Sequence, residues 1–295
     1  MKVSPILTVK DLVITTSNES KKVTLLDNLS FELLPSEILS IVGESGSGKS
    51  ITAKSILGLL PKNFSVSGEI KYHERDLVSS DEKVMMHIRG HEIGLVFQEP
   101  MTALNPVLSV GEQLTESMII SGKANSKLAY DLALEMLNRV GIPYPKERMK
   151  QFPHEFSGGM RQRILIAMTM LLEPNILIAD EPTTALDVTI QAQILDLLSE
   201  LVKENKMSMI LITHDMGVVA QTADRVLVMK EGKKVEEGVV EEIFANAKAD
   251  YTKELLASVP RLKSDSSSQI FIPNSNLISI ENLSKAFTKN TFFSN

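Results

Sequence analysis

The sequence predicts an α/β fold: a mostly parallel core sheet that carries an antiparallel β portion and a helical subdomain. Three observations predict it. Short apolar runs suited to buried parallel strands recur at residues 38–42, 93–97, 176–179 and 208–213. Residues 6–33 alternate as antiparallel strands do. Residues 101–155 have a helical texture that differs from both flanks.

Composition narrows the classes. The chain has 295 residues, 43% apolar and 23% charged, which suits one large or two smaller globular domains. A net charge of −6 gives no basic footprint for nucleic acid. Cysteine is absent, which excludes disulfides and cysteine-ligated zinc or iron–sulfur sites and suits a reducing compartment. Met1-Lys2-Val3-Ser4-Pro5 has no apolar core of signal-peptide length. The longest apolar-rich stretch, residues 164–172, falls far short of a membrane span. Any membrane role is therefore expected to come through partners.

In order, residues 6–9 predict a first strand, and Val23, Leu25, Leu29, Phe31 and Leu33 a second. Polar residues 18–22 read as the loop between them. Phe31 is expected in the core. Pro35-Ser36 turns the chain into the strand at 38–42. Then comes Gly43-Glu44-Ser45-Gly46-Ser47-Gly48-Lys49-Ser50, which fits G-x-x-x-x-G-K-[ST] at every fixed position. The run from Ile51 to Leu57 can open a helix. Glycines let the backbone curl and aim its N–H groups at phosphate oxygens, and the helix points its positive end at the same anion. Lys49 supplies a point charge for the β- and γ-phosphates, and Ser50 a hydroxyl for Mg²⁺. The motif alone says nucleotide phosphate, and kinases, GTPases, motors and transport ATPases share it.

Residues 68–72 predict another strand, and 93–97 one that ends at Gln98. Ser126 is expected to cap a helix whose apolar residues are Leu128, Leu132, Met136, Leu137 and Val140, closed by Gly141 and Pro143. Ser157-Gly158-Gly159-Met160 opens a second helix where a capping serine and exposed N–H groups form a potential anion site. The strand at 176–179 runs into Asp180-Glu181. Asp180 suits Mg²⁺, and Glu181, aimed elsewhere, suits a water. Ile190, Ile194, Leu197, Leu198 and Leu201 form a helical core stripe. The strand at 208–213 ends at His214, at the carboxyl end where open α/β sheets bind ligands. The other four histidines, His73, His87, His91 and His154, have no such placement. Residues 225–229 and 233–235 predict a final strand pair around Gly232.

Taken together and in this order, these motifs resemble those of the ABC-type ATPases, over residues 5–262. The resemblance implies that Gly43–Ser50, with Ile51 next to it, bind ATP, and that Gln98 opens a loop reaching nucleotide and Mg²⁺. It implies that Ser157–Met160 act on a partner's ATP, that Ser50 and Asp180 hold Mg²⁺, and that Glu181, His214 and Lys49 are catalytic. Residues 185–187 would form the loop that meets the partner. Phe156 and Met160 depart from the commonest signature residues, and Thr15-Thr16 stand where an aromatic ring for adenine is sought. Residues 97–106, 152–163 and 251–260 resemble the oligopeptide, dipeptide and nickel uptake branch, some relatives of which carry a cysteine cluster that is absent here.

The implied assembly is a head-to-tail dimer with a second ATPase subunit, identical or different. It sits on two transmembrane permease subunits at the cytoplasmic face of the cell membrane and is served indirectly by an extracytoplasmic substrate-binding protein, with no nucleic acid. The implied function is Mg²⁺-dependent ATP hydrolysis that drives uptake of peptides or a nickel-type metal complex. The rival is a soluble ATPase of the same family acting on ribosomes or DNA without a permease. Residues 263–276 read as a linker. Residues 277–283 repeat the pattern of 6–12, so 277–295 is expected to be the opening of a second such domain in a truncated or split double ATPase. The alternative is a private tail with a coincidental β pattern.

Overall fold

The computed structural model describes residues 4–18, 21–97, 103–184, 186–258 and 279–285. Gln98 and Ala185 lie outside them, as do the linker at 263–276 and most of the 277–295 tail. By internal contacts the chain divides into Met1–Val259 and Pro260–Asn295.

The first unit holds two sheets. Strands β1 (Leu7–Asn18), β2 (Lys21–Leu33), β4 (Phe64–Tyr72) and β5 (Arg75–Asp76) form an antiparallel sheet in the order β2-β1-β4-β5. Asn18 pairs with Lys21, so the strands run further toward the turn than the polar run at 18–22 indicates. The second sheet has the order β10-β9-β3-β8-β7-β6. Here β3 (Ile38–Val42), β6 (Ile93–Val96), β7 (Ile176–Asp180), β8 (Ser208–Thr213) and β9 (Arg225–Lys230) are parallel, and β10 (Lys233–Val239) returns antiparallel to β9. β3, β7 and β8 are buried throughout, as continuous apolar runs require when both faces of a sheet are covered.

The helices are α1 (Lys49–Ile56), α2 (Glu82–His91), α3 (Val110–Ile120), α4 (Ser126–Arg139), α5 (Pro145–Arg148), α6 (Gly158–Met170), α7 (Val188–Glu204), α8 (Met216–Thr222), α9 (Val240–Asn246) and α10 (Asp250–Ala257). One apolar core fills the space between α3, α4, α6, α7 and one face of the parallel sheet. Another joins the opposite face to the antiparallel sheet and includes Phe31, Leu39, Ile41, Ile178 and Ile212. Alternate residues of the same strands thus face different cores.

Two expectations are corrected. Asn125, not Ser126, caps α4: its side chain accepts a hydrogen bond from the Leu128 N–H at 2.9 Å. Asparagine caps as well as serine does, so adjacent candidates are decided by where the chain turns. The buried face of α4 is Ala129, Ala133 and Leu137, followed by Val140, while Leu128 is 47% exposed. Small alanines let α4 approach its neighbours closely, and the helix therefore rotates away from a leucine-centred stripe. Replacing Asn125 with Ala is expected to lower unfolding free energy by about 1 kcal/mol. Ser126→Ala should shift it by less than about 0.5 kcal/mol. Urea unfolding midpoints measure both.

Candidate functional site

The order β3-β8-β7 sets three strand ends side by side. Val42 pairs with Thr213 and Asp180 with Ile212, so Gly43, Glu181 and His214 each leave the sheet at the same level. A cleft of about 550 Å³ opens there. It is lined by Gly43 through Gly46, Gly48 through Ile51, Glu181, His214 and Leu255. Ser47 is buried beneath the loop.

The loop is tightly specified. A Cβ at Gly43 would lie 2.1 Å from the Met229 carbonyl oxygen. Gly48 takes φ 103° as it enters α1, a left-handed conformation that a side chain resists. The Gly232 N–H donates to the Ser47 carbonyl at 3.0 Å and so ties the loop to the β9–β10 turn. The first N–H groups of α1 have no partners within the helix and face the cleft end, a ready anion site.

Charge is concentrated at this point. The Lys49 ammonium donates to the carbonyls of Gly43 at 2.8 Å and Glu44 at 2.9 Å. It lies 3.9 Å from Glu181 Oε1. Burial pushes its pKa down, against the pull of Glu181 and Asp180. Asp180 is buried, and burial raises its pKa; the Ser50 hydroxyl opposes this by donating to Asp180 Oδ1 at 2.9 Å. Glu181 takes φ 45°, strained for a residue with a side chain. Thr184 donates to Glu181 Oε2 at 3.1 Å, and His214 Nδ1 lies 3.7 Å from Glu181 Oε1. His214 itself sits on the exposed rim. The arrangement offers an anion cradle, a buried cation, a carboxylate beside that cation and an imidazole on the rim.

Ser50 and Asp180 suit a magnesium ion. Both present hard oxygen atoms, and one buried carboxylate is the number Mg²⁺ commonly takes when phosphates and waters complete its shell. Gln98 lies outside the described residues. Ser157, Gly158, Gly159 and Met160 are not part of this cleft. They open α6, with Ser157 and Gly158 exposed and the Ser157 hydroxyl accepting from the Met160 N–H at 3.4 Å. The cleft lining includes no aromatic residue among those described.

Sequence reasoning did not place Leu255, Tyr251 or Thr184 at the site. Leu255 lines the cleft, and the Tyr251 hydroxyl accepts from the Glu44 N–H at 3.1 Å. The stretch 251–260 stood out as a branch marker, but nothing local connects it to a loop 207 residues away.

Comparisons with known proteins identify the family. The family model described as ABC transporter matches residues 26–184. The oligopeptide transport ATP-binding protein OppD of Bacillus subtilis is 50% identical over 92% of this chain and 76% of its own. The dipeptide transport ATP-binding protein DppD of the same organism is 52% identical over 87% of this chain and 77% of its own. Among solved structures, an ATP-binding cassette dimer in a post-hydrolysis state with ADP and Pi superposes with a TM-score of 0.71 at 28% identity. That match covers 79% of this chain and 98% of the other.

The Lys49 ammonium, with two N–H groups on carbonyls, has a third to offer an anion in the loop. Lys49→Ala is therefore expected to weaken pyrophosphate binding at least about tenfold, since charge-assisted hydrogen bonds contribute most there. Isothermal titration measures this.

Proposed function

The chain belongs to the ABC transporter family, and we propose that it is the ATP-hydrolysing subunit of an importer for oligopeptides or dipeptides. The convergence of Lys49, Ser50, Asp180, Glu181 and His214 on one cleft carries the catalytic part of this reading. The identity of about half to the two peptide-transport relatives, across most of the chain, supports the cargo class.

The chain's own residues divide the work. N–H groups from Gly46 to Ile51 cradle the phosphates, with Gly43, Glu44 and Ser45 shaping the loop. Lys49 offers its third N–H to the β- and γ-phosphates. Ser50 and Asp180, with Gln98, would hold Mg²⁺, which when bound neutralises charge developing on the phosphate oxygens. Glu181 orients the attacking water and accepts its proton. His214 donates a hydrogen bond to the γ-phosphate. Catalysis here is positioning and electrostatics rather than covalent chemistry. Ser157 and Gly158, both exposed, with the half-buried Gly159 and Met160, close the site of a second ATPase subunit, so the working unit is a dimer.

Among the described residues no helix is long and apolar enough to cross a membrane. In the assembly its relatives imply, two permease subunits hold the chain at the cytoplasmic face, met by the helical subdomain at about 101–170. An external binding protein delivers the cargo to them. The ATPase domain extends over 5–262, with a linker at 263–276. For the tail 277–295 we infer the opening of a second such domain from the repeat of the 6–12 pattern at 277–283; Asn282 takes φ 53° and Asp11, at the matching position of β1, φ 49°. The described part of the tail, 279–285, is exposed and in neither helix nor strand.

Glu181→Gln is expected to keep ATP binding and lower turnover at least about 10²-fold. Binding of a fluorescent ATP analogue and phosphate release measure the two; unchanged turnover removes Glu181 from its role. Permease and partner ATPase subunits in lipid should raise turnover and support ATP-driven peptide uptake. Uptake of a nickel complex in place of peptide would reassign the cargo. Full activity without response to any membrane partner would favour the ribosome or DNA reading.

A further inference from the structure

The C-terminal helix α10 is fastened to the phosphate loop in a way the ATPase motifs do not require. Tyr251, 8% exposed, accepts the Glu44 N–H at 3.1 Å through its hydroxyl. The Lys230 ammonium sits 4.4 Å from the centre of its ring. One turn on, Leu255 forms part of the cleft wall. The start of the helix is held from β10, where Glu236 accepts from the N–H groups of Lys248 at 2.8 Å and Ala249 at 3.1 Å.

The same hairpin holds the loop from its other side. Met229 abuts Gly43, and Gly232 donates to Ser47. The β9–β10 hairpin thus braces the loop directly and again through α10. Without the Tyr251 hydroxyl, the Glu44 N–H has only water to pair with, and this corner of the loop is released.

We propose that Tyr251 is a positioning residue for the phosphate loop, and that through it α10 sets the affinity for ATP. This rests on the ATPase reading and adds a determinant that belongs to the segment after the ATPase motifs. The hydroxyl shapes the loop before any nucleotide arrives. It therefore affects ground state and transition state alike, which alters KM and spares kcat.

The test uses the full chain with Tyr251→Phe, which keeps the ring and removes the hydroxyl. Lys253→Ala, on the exposed side of α10, is the control. Tyr251→Phe should raise the KM for ATP about threefold to tenfold, the effect of one hydrogen bond. It should leave kcat within about twofold. Hydrogen exchange at the Glu44 amide should quicken in Tyr251→Phe and not in Lys253→Ala. A fall in Tm with unaltered KM and unaltered Glu44 exchange overturns the proposal, as does a loss confined to kcat. Should Tyr251→Phe not fold, Lys230→Met decides: it unseats the ring but leaves the hydroxyl, and faster Glu44 exchange supports the proposal while unchanged exchange overturns it. Absence of ATPase activity from the wild-type chain assembled with partner ATPase and permease subunits would instead defeat the underlying reading, and Glu44 exchange in the absence of nucleotide remains an independent measure of the Tyr251 contact.

Discussion

The register of three parallel strands is the constraint on which the rest of the molecule depends. β3, β8 and β7 are neighbours, paired Val42 to Thr213 and Ile212 to Asp180. The Glu181 N–H extends that pairing by donating to Ile212 at 3.0 Å. A slip of one residue would turn each side chain to the opposite face. Asp180 would then lose Ser50, and Glu181 would lose Lys49 and His214. Two apolar cores, one on each face, oppose such a slip, because Leu39, Ile41, Ile178 and Ile212 would exchange cores with their neighbours.

Burial at this register gives the cleft its electrostatic character. Lys49 and Asp180 are both buried, and burial disfavours the charge on each. Neither is left alone: the ammonium rests on two carbonyls, and the carboxylate accepts a hydroxyl. Glu181, strained at φ 45°, aims its carboxylate into the same space. The left-handed backbone of Glu181 and the buried charges of Lys49 and Asp180 thus meet at one cleft.

The loop has a second set of supports that act over long distance. The β9–β10 hairpin touches it through Met229 and Gly232, and α10 touches it through Tyr251. The hairpin's Glu236 also satisfies the N–H groups that lead into α10. Loop, hairpin and helix therefore form one hydrogen-bonded unit, although their residues come from opposite ends of the domain.

Much of this was legible before any coordinates. Continuous apolar runs marked β3, β6, β7 and β8 because a strand covered on both faces must be apolar throughout. The phosphate loop was legible because its geometry demands glycine at fixed positions, and Asp180, Glu181 and His214 because each directly follows or ends such a strand. The sequence by itself determined the buried core strands, the glycine loop and the order of the motifs. Only the tertiary structure decided that Asn125 caps α4, that Ala129 and Ala133 rather than Leu128 face the core, and that Tyr251 and Leu255 reach the cleft. The physical reason is that period and motif are set by near neighbours along the chain. Which face packs inward, and which hydroxyl meets which N–H across 207 residues, depends on surfaces that exist only once the chain has folded.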